Sequence, residues 1–239
     1  MPHSRFYIDA PLEREKSLAL ENEEFHHLVR VMRTEVGEEI ELVNGRDQLA
    51  LARVERISKS SASLKLLSVE KEKRVKPKLI LAQAMTRMPR LEWLIEKAVE
   101  LGATEFWLFP SALSEIKAPT PSQTARLKQI CISAMKQSGR LDLPSIQIFP
   151  SLNKLPKAEG TNFFGDLRPE APTLLEIWKK KPDLPLPFTL FIGPEKGFKQ
   201  EELLLLENER GALGIHLHAN VLRFETAGVV GLTLLQAFN

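Results

Sequence analysis

From residue 79 onward, short apolar runs alternate with segments of helical periodicity, and that alternation restricts the 239-residue chain more than any other feature. Runs at 79–84, 106–109, 146–149 and 188–192, and another near Phe163 and Phe164, read as strands. Between them, Leu91, Leu94, Ile95, Ala98 and Val99 recur at the spacing of one helix face, and Gly102 caps it. Leu127, Ile130, Cys131, Ala134 and Met135 repeat the pattern ahead of Gly139. Shorter helices are expected around 174–178 and over 200–210, a short strand over 215–217, and a terminal helix over 226–238 with Thr226 as its N-cap. Strands alternating with helices imply an α/β domain with a mostly parallel sheet covered on both faces. The terminal helix is apolar nearly all round and is expected to be buried.

The first seventy residues follow a different rule. Residues 39–44 alternate, Asn44-Gly45 is a type I′ hairpin signal, and strands are expected over 49–57 and 61–69. A short helix is expected from Asn22 as N-cap, with Phe25, Leu28, Val29 and Met32 on one face. Short strands with one helix suggest a small barrel. The polar run 70–78 marks the boundary, dividing the chain into domains 1–72 and 73–239.

Cys131 is the single cysteine, so a disulfide within the chain and a zinc site of several thiolates are excluded, which fits a reducing cytosol. The N-terminus has no signal-peptide core, and the apolar stretch 227–238 is too short to span a bilayer. A soluble cytoplasmic protein with no membrane partner is expected. The net charge of +2 decides nothing, but residues 53–78 hold nine basic side chains against three acidic ones. Such an excess suits a polyanion such as RNA, and equally a solvated surface flanking a linker. His26 and His27 have no partner at metal-ligand spacing, and His3, His216 and His218 read as ordinary surface or packing histidines, so no metal is expected. No Ser/His/Asp or Cys/His arrangement is readable.

Three segments carry possible chemistry. Ile192-Gly193-Pro194-Glu195-Lys196-Gly197-Phe198 lies after an apolar strand and before a helix, where open α/β sheets bind ligands. Its glycines let backbone amides approach a ligand, or serve only a tight strand-to-helix turn; the residues alone leave the two readings even. It is neither a Walker loop nor a dinucleotide fingerprint. Leu222-Arg223-Phe224-Glu225-Thr226 leads into the terminal helix, where Arg223 and Glu225 orient a substrate or form a structural ion pair; alone, the structural reading is favoured. Arg140, after Lys136-Gln137-Ser138-Gly139, holds a phosphate or answers the negative end of a helix dipole.

Taken together, these features resemble one family, the bacterial 16S ribosomal RNA uridine-N3 methyltransferases of the knotted SPOUT class. The resemblance runs along the chain: Arg5-Phe6-Tyr7; His26-His27-Leu28-Val29-Arg30-Val31-Met32-Arg33 with Gly37; Arg90-Leu91-Glu92-Trp93 with Lys97-Ala98-Val99-Glu100-Leu101-Gly102; Gln137-Ser138-Gly139-Arg140 with Pro144; and the Gly193 and Arg223 segments. It implies a PUA-like N-terminal barrel that helps hold RNA and a C-terminal domain with a trefoil knot. It implies S-adenosyl-L-methionine as cofactor, held by Phe164, Gly165, Asp166 and Leu167, by Ile192, Gly193, Pro194, Glu195, Lys196 and Gly197, and by Leu217, Asn220, Val221, Leu222 and Thr226. It further implies a homodimer acting on 16S ribosomal RNA or the assembled small subunit. Uracil N3 must lose its proton to attack the sulfonium methyl, so a stabiliser of the anion and a proton acceptor are needed. Arg223 and Glu225 are the candidates for those catalytic roles. Arg5, Arg30, Arg33, Arg87, Arg90 and Arg140 are the candidates for RNA contact.

The chain departs from the family pattern in three places. Lys196 stands where a second glycine is usual, so a positive φ there would be costly. His218-Ala219-Asn220 replaces a glycine-x-arginine, and Leu113 replaces an arginine. Alternatives are a SPOUT methyltransferase acting on another base or a 2′-hydroxyl, and a non-catalytic RNA-binding assembly protein. A phosphate-binding nucleotide enzyme is disfavoured for want of a magnesium motif.

Overall fold

The computed structural model describes residues 4–72 and 77–237, which form two compact units. The expected domain boundary abuts residues 73–76, so that boundary and Lys73, Arg74 and Lys76 of the basic run lie outside the described residues.

The first unit joins the N-terminal segment with residues 135–143. Its strands are β1 (Arg5–Tyr7), β2 (Ser17–Glu21), β3 (Glu39–Val43), β4 (Gln48–Ile57) and β5 (Ser61–Lys71). They form one sheet in the order β1-β3-β4-β5-β2, so β1 and β2 remain edges and the expected barrel is a half-barrel. Alternate residues such as Leu42, Ala50, Ala52, Val54, Ala62, Leu64 and Leu66 turn inward, onto Phe6, Phe25 and Leu28. The helix after β2 is α1 (Asn22–His26), followed by a π turn over His27–Val31. Glu21, not Asn22, is the N-cap; Asn22 itself takes a left-handed φ of 53°, which asparagine tolerates. The π turn advances the phase of the face, so Phe25 and Leu28 are buried while Met32 is exposed.

The Asn44-Gly45 hairpin is longer than two residues, because Val43 pairs with Leu49. The Asn44 amide is spent elsewhere. Its Oδ1 accepts from Arg46 N, and its Nδ2 donates to Ala10 O and Gln48 Oε1. Gly45 is required, since a Cβ there would lie 2.6 Å from Leu143 Cβ and its φ is 70°. The chain after Gly139 is laced to this turn, with Leu143 N donating to Gly45 O and Asp47 N to Leu141 O.

The second unit is the expected α/β layer structure. Its strands are β6 (Leu79–Ala84), β7 (Glu105–Phe109), β8 (Ser145–Ile148), β9 (Thr161–Gly165), β10 (Phe188–Ile192) and β11 (Leu213–Ile215). The order is β11-β9-β10-β6-β7-β8, and each pairing is parallel. Every residue of the central pair β6 and β10 is buried, as a sheet covered on both faces demands, whereas edge strand β8 is largely exposed. On one face Ile80, Ala82, Trp107, Phe109, Phe164 and Phe191 pack with Leu206 and Ala212.

The helices are α2 (Met88–Glu100), α3 (Pro121–Ser138), α4 (Leu174–Lys180), α5 (Gln200–Asn208) and α6 (Phe224–Gln236). α2 buries the five apolar positions read from the sequence. α6 starts two residues earlier than expected: Arg223 is its N-cap, without a side-chain hydrogen bond, and Thr226 lies exposed in the first turn. Its glycines let it lie close. A Cβ at Gly228 would come within 2.7 Å of Leu94 Cδ1, and one at Gly231 within 2.5 Å of Leu190 Cδ2. The helix is buried on that side only, with Val229, Val230 and Leu234 half-buried. No helix among the described residues is long and apolar enough to cross a membrane.

Candidate active site

Parallel strands all point the same way, so the loops leaving their carboxyl ends gather along one edge of the sheet. The loops after β9, β10 and β11 enclose a cavity of about 740 Å³. Gly165, Asp166 and Leu167 line it from the first loop, Ile192 to Gly197 from the second, and Leu217, Asn220, Val221 and Leu222 from the third. Of the residues expected to hold a cofactor, Phe164, which is buried, and Thr226, which is exposed, do not line the cavity.

The β10 loop is shaped by its backbone. Gly197 N donates to Pro194 O at 2.9 Å, closing a turn in which Gly197 takes φ 72°. The strain anticipated at Lys196 is therefore absent: its φ is not positive, the glycine beside it carries the left-handed conformation, and the lysine is exposed. Gly193 packs so tightly against this turn that a Cβ would lie 3.2 Å from the Gly197 carbonyl carbon. Beneath it the fully buried Gln83 donates to Gly193 O at 3.4 Å and to Ala84 O at 2.9 Å. Thr86 donates its hydroxyl to Glu195 Oε1, and Arg90 Nη1 lies 4.0 Å from the same oxygen.

The β9 loop is shaped by charge. Asp166, 5 % exposed, accepts from Arg168 N, Nε and Nη2. Arg168 also donates to Glu207 on α5 and lies over the Phe164 ring, 5.8 Å from its centroid. These two carboxylates raise the Arg168 pKa above its ordinary value, so the guanidinium stays charged.

The third loop runs into α6. His216 N donates to Pro172 O, and Asn220 N donates to His218 Nδ1 at 3.0 Å. That bond needs a lone pair on Nδ1, so a neutral His218 carries its proton on Nε2. Arg223 is exposed on the cavity wall. Glu225 does not line the cavity; its Oε2 is buried without a hydrogen-bond partner at the positive end of the α6 dipole.

Sequence reasoning missed Arg168, Pro169, Leu203 and His216, all of which line the cavity. The histidines were read as ordinary because the spacing was searched for metal ligands, and no metal-holding cluster occurs among the described residues. The expected RNA-contacting arginines separate into distinct environments. Arg30 and Arg33 are exposed in the first unit, and Arg87 is exposed beside Glu115 in the second. Arg90 joins the cavity. Arg5 is bound to Glu41 at 2.6 Å with its side chain 20 % exposed, and Arg140 is bound to Asp142 with 10 % exposed. Arg5 pairs across from β1 to β3, whereas Arg140 pairs with a residue two positions along, and both side chains are largely covered.

Comparison with known proteins places this geometry. Over 235 residues the chain is 28 % identical to ribosomal RNA small subunit methyltransferase E of Rickettsia conorii, covering 97 % of this chain and 94 % of that protein. A Legionella pneumophila methyltransferase structure in complex with SAM matches with a TM-score of 0.90 at 29 % identity, covering 99 % of this chain and 98 % of the other. Ribosomal RNA small subunit methyltransferase E from Neisseria gonorrhoeae, bound to S-adenosyl methionine, matches with a TM-score of 0.86 at 27 % identity over 98 % and 97 % of the two chains. The RNA methyltransferase PUA domain model covers residues 20–67. With the RNA methyltransferase domain model matching residues 72–236, the cavity-bearing unit included, the chain belongs to the RNA methyltransferase domain family.

Proposed function

We propose that the chain methylates N3 of a specific uridine in 16S ribosomal RNA, with S-adenosyl-L-methionine as methyl donor. The observation that carries this reading is the convergence of three loops, singled out by sequence as cofactor-holding, on one cavity at the carboxyl edge of the sheet. The residues present fit such a cofactor. About 740 Å³ lies within the range of roughly 300–1,000 Å³ for ligand pockets. The wall combines apolar Leu167, Ile192, Leu217, Val221 and Leu222 with close-approaching backbone at Gly165, Gly193 and Gly197. When bound, the cofactor supplies an electrophilic methyl group on a sulfonium.

The protein's part is to bring uracil N3 to that methyl and to manage the departing proton. Arg223, exposed on the wall, stabilises the negative charge that develops on the uracil as N3–H is lost. With Arg168 committed to Asp166 and Glu207, Arg90, Lys196 and Arg223 face the cavity against the single carboxylate of Glu195, an excess that favours an anionic RNA. Glu225, whose buried Oε2 accepts no hydrogen bond, does not line the cavity, so of its two candidate roles the orientation of Arg223 is favoured over acceptance of the proton. Full turnover in Glu225→Gln would remove it from that role.

The remaining parts of the proposal concern assembly. Residues 1–72 act as an RNA-holding module, with Arg30 and Arg33 as phosphate contacts, and Arg87 and Arg90 contribute from residues 73–239. The cofactor loops form the trefoil knot that the family resemblance implies. The enzyme works in the cytoplasm on the ribosomal RNA of the small subunit, and it does so as a homodimer, for which half-buried Val229, Val230 and Leu234 on α6 and exposed Trp93 on α2 offer apolar surface.

Calorimetry with S-adenosylmethionine is the first test, followed by incubation with unmodified small subunits and mass spectrometry of the nucleosides. Saturable binding and the appearance of 3-methyluridine are expected. A 2′-O-methylated nucleoside instead would move the chain to a different reaction, and absence of cofactor binding would overturn the enzymatic reading.

A further inference from the structure

We infer that Arg168 is a positioning residue for the cofactor cavity: clamped between Asp166 and Glu207, it holds the β9 loop and the Leu167 side chain in ligand-ready geometry. The ligand side of this inference rests on the methyltransferase reading.

Leu167 lies two residues past the end of β9, is 63 % exposed and lines the cavity, so its place there depends on how the loop is held. The residues on either side of it supply the restraint. Asp166 Oδ1 accepts the Arg168 backbone N–H at 3.0 Å, making a tight local turn. Asp166 Oδ2 accepts Arg168 Nε at 2.8 Å and Nη2 at 2.6 Å, so the guanidinium and the carboxylate lock the turn from both ends. Two further contacts anchor the lock to the fold. Glu207, on α5 and outside the cavity lining, accepts from Arg168 Nη2, and the Phe164 ring lies beneath the guanidinium. On the other side Asp166 is hemmed in by Gly214, where a Cβ would lie 2.3 Å from Oδ2. Leu167 is thereby presented to the cavity from a turn that is fixed on every side. Arg168 acts through that turn, and Glu207 acts through Arg168.

This makes Glu207 a remote handle on ligand affinity, and the test uses it. Glu207→Gln and Arg168→Lys are compared with the wild-type protein by hydrogen exchange without ligand, by calorimetry with S-adenosylmethionine, and by steady-state turnover. In Glu207→Gln, exchange is expected to rise in peptides covering residues 165–171 and stay unchanged over 193–197. Cofactor affinity is expected to fall roughly tenfold, with kcat at saturating cofactor preserved. Arg168→Lys keeps the charge but loses the planar fork, so it should loosen the same peptides. Unchanged exchange over 165–171 in both variants overturns the clamp. So does wild-type affinity in Glu207→Gln alongside weak binding in Arg168→Lys, which would make Arg168 a direct ligand contact. If the wild-type protein binds no S-adenosylmethionine, the methyltransferase reading falls, and the exchange comparison still decides the clamp.

Discussion

The loops that leave β9 and β10 wall the same cavity but are held in shape by opposite means. Residues 165–169 are fixed by side-chain charge, through an aspartate and an arginine locked to each other and to α5. Residues 193–197 are shaped chiefly by backbone, through a turn in which Gly197 takes a left-handed φ and a close approach at Gly193, where a Cβ would lie 3.2 Å from the Gly197 carbonyl carbon. The first wall can be loosened from a distance, because its restraint passes through a side chain on another element. The second is also met by side chains of other elements, Gln83 at Gly193 O and Thr86 at Glu195, but the shape of its turn is set by its own glycines. A site built from both has one adjustable face and one rigid face.

The comparison breaks most visibly at Gly214. A methyl group there meets Asp166 Oδ2 at 2.3 Å and the Phe164 ring at 2.9 Å. Asp166 has no cheap way aside while Arg168 grips it. Gly214→Ala should cost about 1–3 kcal/mol of stability, as overpacking does, and should loosen residues 165–169. Chemical denaturation measures the first and hydrogen exchange the second; wild-type stability would mean that Asp166 moves freely and the charge-held wall is no wall. Gly197→Ala comes next. Nothing lies within 4 Å of the added methyl, so the whole effect is the left-handed φ, about 1–2 kcal/mol. It should weaken cofactor binding while leaving exchange over 165–169 untouched. Equal loosening of both loops would show that they behave as one unit.

Much of the scaffold around these loops was legible. β6 and β10 are central strands whose residues are all buried, so their sequences are uninterrupted apolar runs, and the observed bounds match the expected ones. The helix faces of α2 and α3 follow from period alone. Shorter or less regular features were not visible. β1 has three residues, too few for a period to appear, and the π turn after α1 shifts a face that a plain helical period kept in line. Thr226 looked like the cap because threonine favours that place, yet the incoming chain reaches Arg223 in an extended conformation and α6 begins there. Most of the loop positions that line the cavity were singled out through family motifs, while Arg168 was not. Its partner Glu207 lies 39 residues away, and no local pattern announces a pair brought together by a strand crossing. The same holds for Arg5, whose partner Glu41 is 36 residues distant.

The smallest expected effect is also the one that separates the two walls most cleanly. Salt weakens interactions between charges but does nothing to the φ of a glycine. At 1 M salt the screening length is about 3 Å, comparable with the 2.6 and 2.8 Å contacts between Arg168 and Asp166. The Asp166 side chain is 4 % exposed and that of Arg168 37 %, so ions reach the pair mainly from the arginine side. The clamp should therefore loosen slightly. Exchange over residues 165–171 should rise by no more than about fivefold, the equivalent of about 1 kcal/mol, and exchange over 193–197, where Arg90 and Glu195 stand 4.0 Å apart, should change less. If both segments respond alike, the β9 wall does not depend on its charges, and Asp166 and Arg168 are passengers on a turn held by its backbone. If only the first responds, ionic strength alone moves one face of the cavity, and cofactor affinity should follow it by the same factor.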